Sequence, residues 1–394
     1  MKQSYSLFED PNNINQVNPS CLHGEYLEQE FWTAKQRQSH SLHEISYRAC
    51  FKAELPRFFI EKYSSIGDTV YDPFSGRGTT GIEALLLNRK AIFNDINPLS
   101  QILSESRTYI AQAQEVLDRL SFILSTTIPE KPDIDLSMFF HHDTLNEILQ
   151  VKTYLMQKQN LDYIDKWIRL LVLTRLTGHS CGFLSNYTLP PNQSVSPARQ
   201  IKINEKYGNK STYRSLIECC IKKYKSLTRS FTDDDIFNYN KNAKSSSFYC
   251  NDASKTHKII PDSVDLIITS PPFLDIVNYK QDNWMRCWFC GIESDKLNIS
   301  IIKNIQDWTF KMQNVIQELH RVLKKQGFIV FEVGEVRNGT VNLESYITTV
   351  AKDLNIKVVD VLINKQVFTK TSNIWGVKNN TRGTNTNRII IMQK

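Results

Sequence analysis

Two short runs carry the residue types that could do chemistry: Asp72-Pro73-Phe74-Ser75-Gly76-Arg77-Gly78-Thr79-Thr80 and Thr269-Ser270-Pro271-Pro272-Phe273. In the first, the apolar run Thr69-Val70-Tyr71 ends at Asp72, a glycine-containing turn follows, and Ile82, Leu85 and Leu86 recur at helical spacing. This is a strand feeding a helix through a turn on which a ligand can lie against bare backbone. Gly76 and Gly78 remove side chains there, and Thr79-Thr80 opens a helix whose free N–H groups face that ligand. Gly76, Gly78 and Gly81 also fit the dinucleotide spacing GxGxxG, but in that fingerprint the first glycine follows the strand at once and a pyrophosphate sits on the helix N-terminus. Here Asp72 to Ser75 intervenes, and a carboxylate at the strand end repels a pyrophosphate while suiting a ligand that carries an ammonium or sulfonium.

DPFSGRGTT, followed by Asn94-Asp95-Ile96-Asn97-Pro98, resembles motifs I and II of the DNA amino-methyltransferases, and TSPPF resembles their motif IV. Serine in first place resembles the branch that methylates cytosine N4; the adenine-N6 branch usually carries Asp or Asn there. The similarity spans most of residues 47–135 and 248–394 and leaves the middle uncovered. It implies an α/β fold, a class I (Rossmann-like) S-adenosylmethionine-dependent methyltransferase with a mixed seven-stranded sheet. It also implies S-adenosyl-L-methionine as cofactor, with Asp72, Phe74, Gly76, Gly78, Thr79 and Thr80 at the cofactor. Lys90 to Phe93 reads as a second strand, and Asp95 at its end, about 20 residues beyond the glycines, is placed to hold a ribose hydroxyl pair. Asp252, after the short strand Phe248-Tyr249-Cys250, resembles motif III, whose acid accepts from the cofactor's adenine amino group; Asp143 in His141-His142-Asp143 competes for that role.

The chemistry of amino methylation accounts for the second run. An aromatic amine is a poor nucleophile because its lone pair is delocalised into the ring, so transfer needs that lone pair turned toward the sulfonium methyl. Acceptors that take the amino hydrogens do this: the Ser270 hydroxyl and the Pro271 carbonyl, held outward because Pro271 and Pro272 fix φ and supply no N–H. Phe273 supplies a face on which the base stacks. Alignment of an already activated methyl carries most of the rate, without a covalent intermediate, and a base paired in a duplex must first be extruded.

These runs sit in four stretches. Residues 1–45 are polar, with little periodicity, and read as an N-terminal arm. Residues 46–110 and 248–394 make the catalytic domain; within it, Leu55, Phe58 and Phe59 lie on one face of a helix resembling motif X. Helical periodicity dominates 111–247, an inserted lobe that by resemblance is the target-recognition region. Inside it, residues 199–229 hold Lys202, Lys206, Lys210, Arg214, Lys222 and Lys223 interleaved with Tyr207, Tyr213 and Tyr224, a composition suited to phosphate backbones. The stripe Trp308, Met312, Val315, Ile316, Leu319 and Val322 reads as core packing, with Gly327 ending its helix and Phe328 to Val333 as a strand.

The chain of 394 residues has ample length for a core, and its net charge of +7 hints at an anionic partner. Eight cysteines without framework spacing, no basic-then-apolar leader and no long apolar run point to a reducing cytoplasm and exclude a membrane span. Cys287 and Cys290 read as buried thiols in a helix, and no metal is expected. The partners implied are double-stranded DNA and a cognate restriction endonuclease. Adenine N6 methylation, methylation of a structured RNA, and a nicotinamide-dependent oxidoreductase remain open as alternatives.

Overall fold

The computed structural model describes residues 27–29, 40–47, 52–189, 194–272, 279–293, 302, 304–336, 341–365 and 386–394. In chain order, strand β1 (Leu27–Gln29) is followed by a 3-10 turn (Ser41–His43), α1 (Glu54–Tyr63), β2 (Thr69–Asp72), α2 (Thr79–Leu86), β3 (Lys90–Asn94) and α3 (Pro98–Glu105). Six helices follow without a strand among them: α4 (Ala113–Thr126), α5 (His142–Gln157), α6 (Tyr163–Arg175), α7 (Pro197–Tyr207), α8 (Leu216–Thr228) and α9 (Asp233–Ala243). The chain then gives β4 (Ser247–Tyr249), β5 (Val264–Thr269), α10 (Tyr279–Phe289), α11 (Ile305–Val322), β6 (Leu323–Val336), β7 (Val341–Asn342), α12 (Leu343–Asp353), β8 (Lys357–Lys365) and β9 (Thr386–Gln393).

The main sheet has the order β1-β8-β9-β6-β5-β2-β3-β4, with β7 paired to β6. β9 runs antiparallel between β6 and β8, while the other main ladders are parallel. The seven strands β4, β3, β2, β5, β6, β9 and β8 are the mixed sheet of a class I methyltransferase fold, and β1 adds an edge strand that the arm assignment missed. The chain leaves β2 toward β3 and β4, then returns to place β5 on the other side of β2. That reversal opens a crevice at the carboxyl ends of β2 and β5, where α/β sheets bind ligands.

Local chemistry explains the elements around that crevice. β2 and β5 are buried runs, with Val70, Tyr71, Leu266, Ile267 and Ile268 at 0% exposure, as expected for parallel strands covered on both faces. α3 opens at an Asn97 cap whose side chain accepts from Leu99 N–H, with Pro98 in the first turn. α11 stops at Val322 and β6 begins at once, so Gly327 lies inside the strand rather than ending the helix. A Cβ there would lie 2.9 Å from the Asp265 carbonyl oxygen, which explains the glycine.

The helical insertion is not a detached lobe. Val70, Phe93 and Ile391 of the sheet share one apolar cluster with Leu120, Trp167, Leu171 and Leu227 of the inserted helices, and α9 packs back on α2 and β3. The opposite face of the sheet has its own cluster, built from Ile267, Phe331 and Ile390 against α11 and α12. Residues 40–45 also depart from the arm expectation: Leu42 and Ile45 are 0% and 1% exposed. The Arg77 guanidinium donates to the carbonyls of His43 (3.1 Å) and Ile45 (2.9 Å), and Arg107 donates to that of Leu42 (3.0 Å). This segment is therefore a strap fixed between the glycine turn and the inserted helices.

Candidate active site

Asp72 ends β2 with its carboxyl 2% exposed. One oxygen, Oδ1, accepts from the Thr269 hydroxyl at 2.7 Å and from Phe74 N–H at 3.1 Å. Burial pushes this carboxyl up to about 7, against the hydrogen bonds from Thr269 and Phe74, and no ion pair to it occurs among the described residues. A buried carboxylate of this kind is costly without a cation, so the site favours a positively charged ligand.

The turn after Asp72 is held from inside. The Ser75 hydroxyl donates to the Asp72 carbonyl (2.9 Å) and accepts from Asn94 N–H (3.0 Å). Gly76 and Gly78 both have positive φ, +51° and +80°, but their surroundings differ. A Cβ at Gly76 would find only the Tyr47 ring at 3.6 Å and the Phe74 carbonyl oxygen at 3.9 Å, whereas one at Gly78 would stand 2.5 Å from Ser104 Oγ. Gly76 thus leaves uncrowded space beside the turn, and Gly78 lets the turn close on α3. Thr79 and Thr80 are buried; the Thr79 hydroxyl accepts from Arg77, and that of Thr80 donates to the Ile268 carbonyl (3.3 Å). Their hydroxyls serve the fold, so any part they play toward a ligand falls to the helix N–H groups, which have no side-chain cap. Phe74 is partly buried against the second apolar cluster.

Asp95 lies beyond β3 and ties the turn to it: Oδ2 accepts from Gly76 N–H (2.8 Å) and Oδ1 from Asn97 N–H (2.9 Å). The Ser100 hydroxyl and Ile96 N–H also act on this carboxyl, so its roughly four acceptor positions are largely engaged by the protein and a ribose hydroxyl would share them. Asp95 N–H in turn donates to the Tyr249 carbonyl (3.3 Å), and Asn94 exchanges hydrogen bonds with the backbone of Asn251 (3.1 and 3.2 Å). These bonds bring the segment bearing Asp252 beside Asp95. Asp252 accepts from Ser254 N–H and hydroxyl (2.9 and 2.7 Å) and faces Lys311 of α11 at 3.7 Å. Asp143 instead sits at the start of α5, 2.8 Å from His142 and bordering an open surface hollow with Glu147 and Tyr213. It stands apart from this group.

Across the crossover, β5 runs into Ser270, Pro271 and Pro272, while Phe273 lies outside the described residues. Trp308 on α11 donates its indole N–H to the Pro272 carbonyl at 3.0 Å, so a residue read from sequence as core packing also braces this turn. Ser270 stands beside Glu332 of β6, one residue beyond the Thr269–Phe331 pair of the β5–β6 ladder, and this buried acid was passed over by sequence reading. Its signal was an acid in the middle of the apolar run Phe328 to Val333.

The sequence profile of the DNA methylase family matches residues 5–105 and 264–394, more than half of the chain. The chain belongs to the DNA methylase family. Among curated proteins, type II methyltransferase M.BsoBI of Geobacillus stearothermophilus is 24% identical over 356 residues, covering 76% of this chain and 67% of that protein. Type II methyltransferase M.MjaI of Methanocaldococcus jannaschii is 40% identical over 70 residues, which are 18% of this chain and 23% of that one. A solved S-adenosylmethionine-dependent methyltransferase from Methanosarcina mazei aligns at 10% identity over 85% of this chain and 96% of its own, with a TM-score of 0.35.

The family match leaves most of the inserted helices of this DNA methylase uncovered, and the basic residues there divide by geometry. Lys202 and Lys206 are exposed one turn apart on α7, and Lys210 is exposed in the following loop. Lys222 is exposed beside Glu218 (3.7 Å). The other two are spent inside. Arg214 donates to the carbonyls of Ser180 (3.2 Å), Phe183 (2.7 Å) and Ser185. Lys223 is 4% exposed and donates to the Glu44 carbonyl of the strap, and burial pushes its amine down to about 7. The expectation that Lys223 touches DNA is therefore corrected: its amine is a structural clamp. Cys287 on α10 and Cys290 just past its end are buried free thiols, as expected. No helix among the described residues is long and apolar enough to cross a membrane.

Sequence reading also missed the group behind the turn. His43, 2% exposed, holds the Glu83 carboxylate at 2.6 Å, and Arg57 donates to the other Glu83 oxygen at 3.1 Å. Burial keeps His43 below its ordinary value, so the neutral ring donates through Nε2. No motif spacing joins residues 43, 57 and 83.

Proposed function

We propose that this DNA methylase transfers a methyl group to the exocyclic amino group of a base flipped out of duplex DNA, with cytosine N4 as the target, as the modification enzyme of a restriction-modification system. The observation that carries the reading is the crevice itself: Asp72, a buried carboxylate without a cation among the described residues, stands across the β2–β5 crossover from Ser270. The methyl donor is S-adenosyl-L-methionine, which when bound supplies an activated methyl on a positively charged sulfur. The chain fits that group, because Asp72 needs a positive partner and Gly76 leaves the turn open on the ligand side.

The chain's own residues then divide the work. Asp72 favours the cationic end of the donor. Asp95 and Asp252, brought together by the Asn94 and Tyr249 bonds, offer carboxylate acceptors for ribose hydroxyls and an adenine amino group. The Ser270 hydroxyl and the Pro271 carbonyl accept the hydrogens of the target amine and turn its lone pair toward the methyl. Lys202, Lys206, Lys210 and Lys222 meet phosphates from the inserted helices. Serine in first place of the TSPPF run supports cytosine N4 over adenine N6.

The test is incubation of purified protein with tritium-labelled S-adenosylmethionine and mixed duplex DNA, then nucleoside digestion and mass spectrometry. N4-methylcytosine is the expected product. N6-methyladenine would keep the reaction and overturn the base assignment; transfer to RNA in place of DNA would overturn the substrate.

A further inference from the structure

A buried acid stands directly behind Ser270. β5 and β6 pair in parallel with Thr269 opposite Phe331, so the next residues along, Ser270 and Glu332, are neighbours at the carboxyl edge of the sheet. Glu332 is 3% exposed, flanked by Phe331 and Val333 at 0%. Oε1 accepts from Asn387 Nδ2 of β9 at 2.8 Å, and the neighbouring hydroxyl at the end of β5 is that of Ser270, one residue past the Thr269–Phe331 pair. An acid is expensive in the middle of a three-strand apolar ladder, and packing alone gives no reason for one.

Ser270 supplies the reason. A hydroxyl has one hydrogen to give and two lone pairs to receive with. If the Ser270 oxygen is to accept a hydrogen from the target amine, its own hydrogen must be directed elsewhere, and an ionised carboxylate, which only accepts, directs it. We propose that Glu332 is a positioning residue for methyl transfer: it binds the Ser270 hydroxyl hydrogen, turns the oxygen lone pairs toward the target amine, and takes up through Ser270 the proton that the amine sheds. This rests on the reading of the site as an amino methylase.

The step balances. The amine nitrogen forms a bond to the methyl carbon while the carbon–sulfur bond breaks, its electron pair remaining on sulfur, which becomes a neutral thioether. The nitrogen, now bearing the positive charge, gives one proton to Ser270 Oγ. Ser270 passes its own proton to Glu332, which ends as a neutral carboxylic acid. Serine is unchanged, and the charge lost from sulfur leaves as the proton on Glu332.

Burial, opposed by the bonds from Asn387 and Ser270, raises the Glu332 carboxyl to about 7, where an acceptor both ionises and holds a proton near neutrality. The ionisable groups on the elements packed around it are committed elsewhere, with the exception of Glu54, whose Oε1 is buried without a hydrogen-bond partner among the described residues. On α1, which covers β5 and β6, Arg57 bonds Glu83 and lies 3.5 Å from Glu61, while Lys62 and Tyr63 sit at the far end of the helix near Asp360; Glu54 lies in its first turn. On the other side, Arg388 of β9 pairs with Glu344 of α12 at 2.7 Å. Ser270 and Asn387 are the side chains that act on the carboxyl among the described residues.

The experiment is single-turnover transfer of tritiated methyl to duplex DNA from pH 5.5 to 9, with donor affinity measured separately by calorimetry. The wild-type rate is expected to rise through about pH 7 and level off. Glu332→Gln should lower the plateau at least ~10-fold and abolish that rise while leaving donor affinity within ~2-fold. Because the acid acts through Ser270, adding Glu332→Gln to Ser270→Ala should cost little more. Asn387→Ala, which removes a bond that favours the ionised form, should move the rise to higher pH; this arm decides the matter if Glu332→Gln fails to fold. A Glu332→Gln protein with the wild-type rate and the same rise would overturn the proposal, as would an Asn387→Ala protein whose rise does not move. A wild-type protein that methylates no DNA at any pH would instead remove the functional reading beneath it.

Discussion

The Thr269 hydroxyl donates to Asp72 Oδ1 at 2.7 Å, joining the carboxyl ends of β5 and β2 across the point where the sheet reverses its order. One bond thus links the strand that ends in the buried acid Asp72 to the strand that leads into Ser270. It also means that Asp72 is held in place by a neutral partner, with its charge left for a ligand.

The first expectation concerns that charge. Burial lifts the Asp72 carboxyl to about 7, above the ordinary range near 4, so between these values the folded protein binds a proton that the unfolded chain releases. The stability contributed by the neutral form is complete below about pH 4 and is lost as pH rises to about 7, with a slope of at most ~1.4 kcal/mol per unit. Thermal melts of the ligand-free protein should fall over that window more steeply for wild type than for Asp72→Asn. The variant should also lose the thermal protection given by S-adenosylmethionine. Equal slopes would remove the buried charge from the account.

Ser270→Ala tests the other strand end. The hydroxyl touches neither the Asp72 turn nor Asp95 in any bond among the described residues, so donor affinity should stay within ~2-fold. Loss of an acceptor that turns the amine should lower the single-turnover rate by roughly 10²–10³, in the range typical of positioned proton-handling groups. Full turnover in this variant would end the role assigned to Ser270.

Gly78 separates a packing glycine from a ligand-side one. At φ +80° with Ser104 Oγ 2.5 Å from a new Cβ, Gly78→Ala should lose ~1–3 kcal/mol in denaturant unfolding, and Ser104→Gly should recover part of that loss. Gly76→Ala meets nothing closer than 3.6 Å, so it bears only the backbone penalty of its φ of +51°. Its larger effect should fall on donor affinity.

The parts of this architecture that were legible in the sequence are those written locally. Asp72, the glycines and Asp95 lie on one strand-turn-helix-strand, and Ser270 to Pro272 end a strand whose apolar run is unbroken. What escaped is joined only through space: His43 with Glu83, Arg107 with Leu42, and Ser270 with Glu332 across a sheet ladder. Residues 40–45 looked polar and loose because their burial depends on Arg77, Arg107 and Lys223 capping their carbonyls, and no period in the segment itself signals that. The same fact misled the reading of the basic stretch, where composition could not distinguish a solvated amine from a clamping one. The loop with Trp375, Lys378 and Arg382, also considered for DNA contact, lies outside the described residues.

The basic residues give the last expectation. Lys202, Lys206 and Lys210 are exposed, and each amine that meets a phosphate displaces about 0.9 of a counterion on duplex DNA. Replacing all three with Gln should weaken duplex binding most at low salt and reduce the slope of log affinity against log salt by up to about 3. Lys223→Ala should do the reverse. Its buried amine bonds the Glu44 carbonyl, so its removal should lower the melting temperature and leave the salt slope unchanged. Fluorescence anisotropy of a labelled duplex across a salt series, paired with thermal melts, reads both effects. If the triple variant keeps the wild-type slope, α7 does not lie on the DNA backbone; if Lys223→Ala flattens the slope without loss of stability, the amine reaches solvent after all.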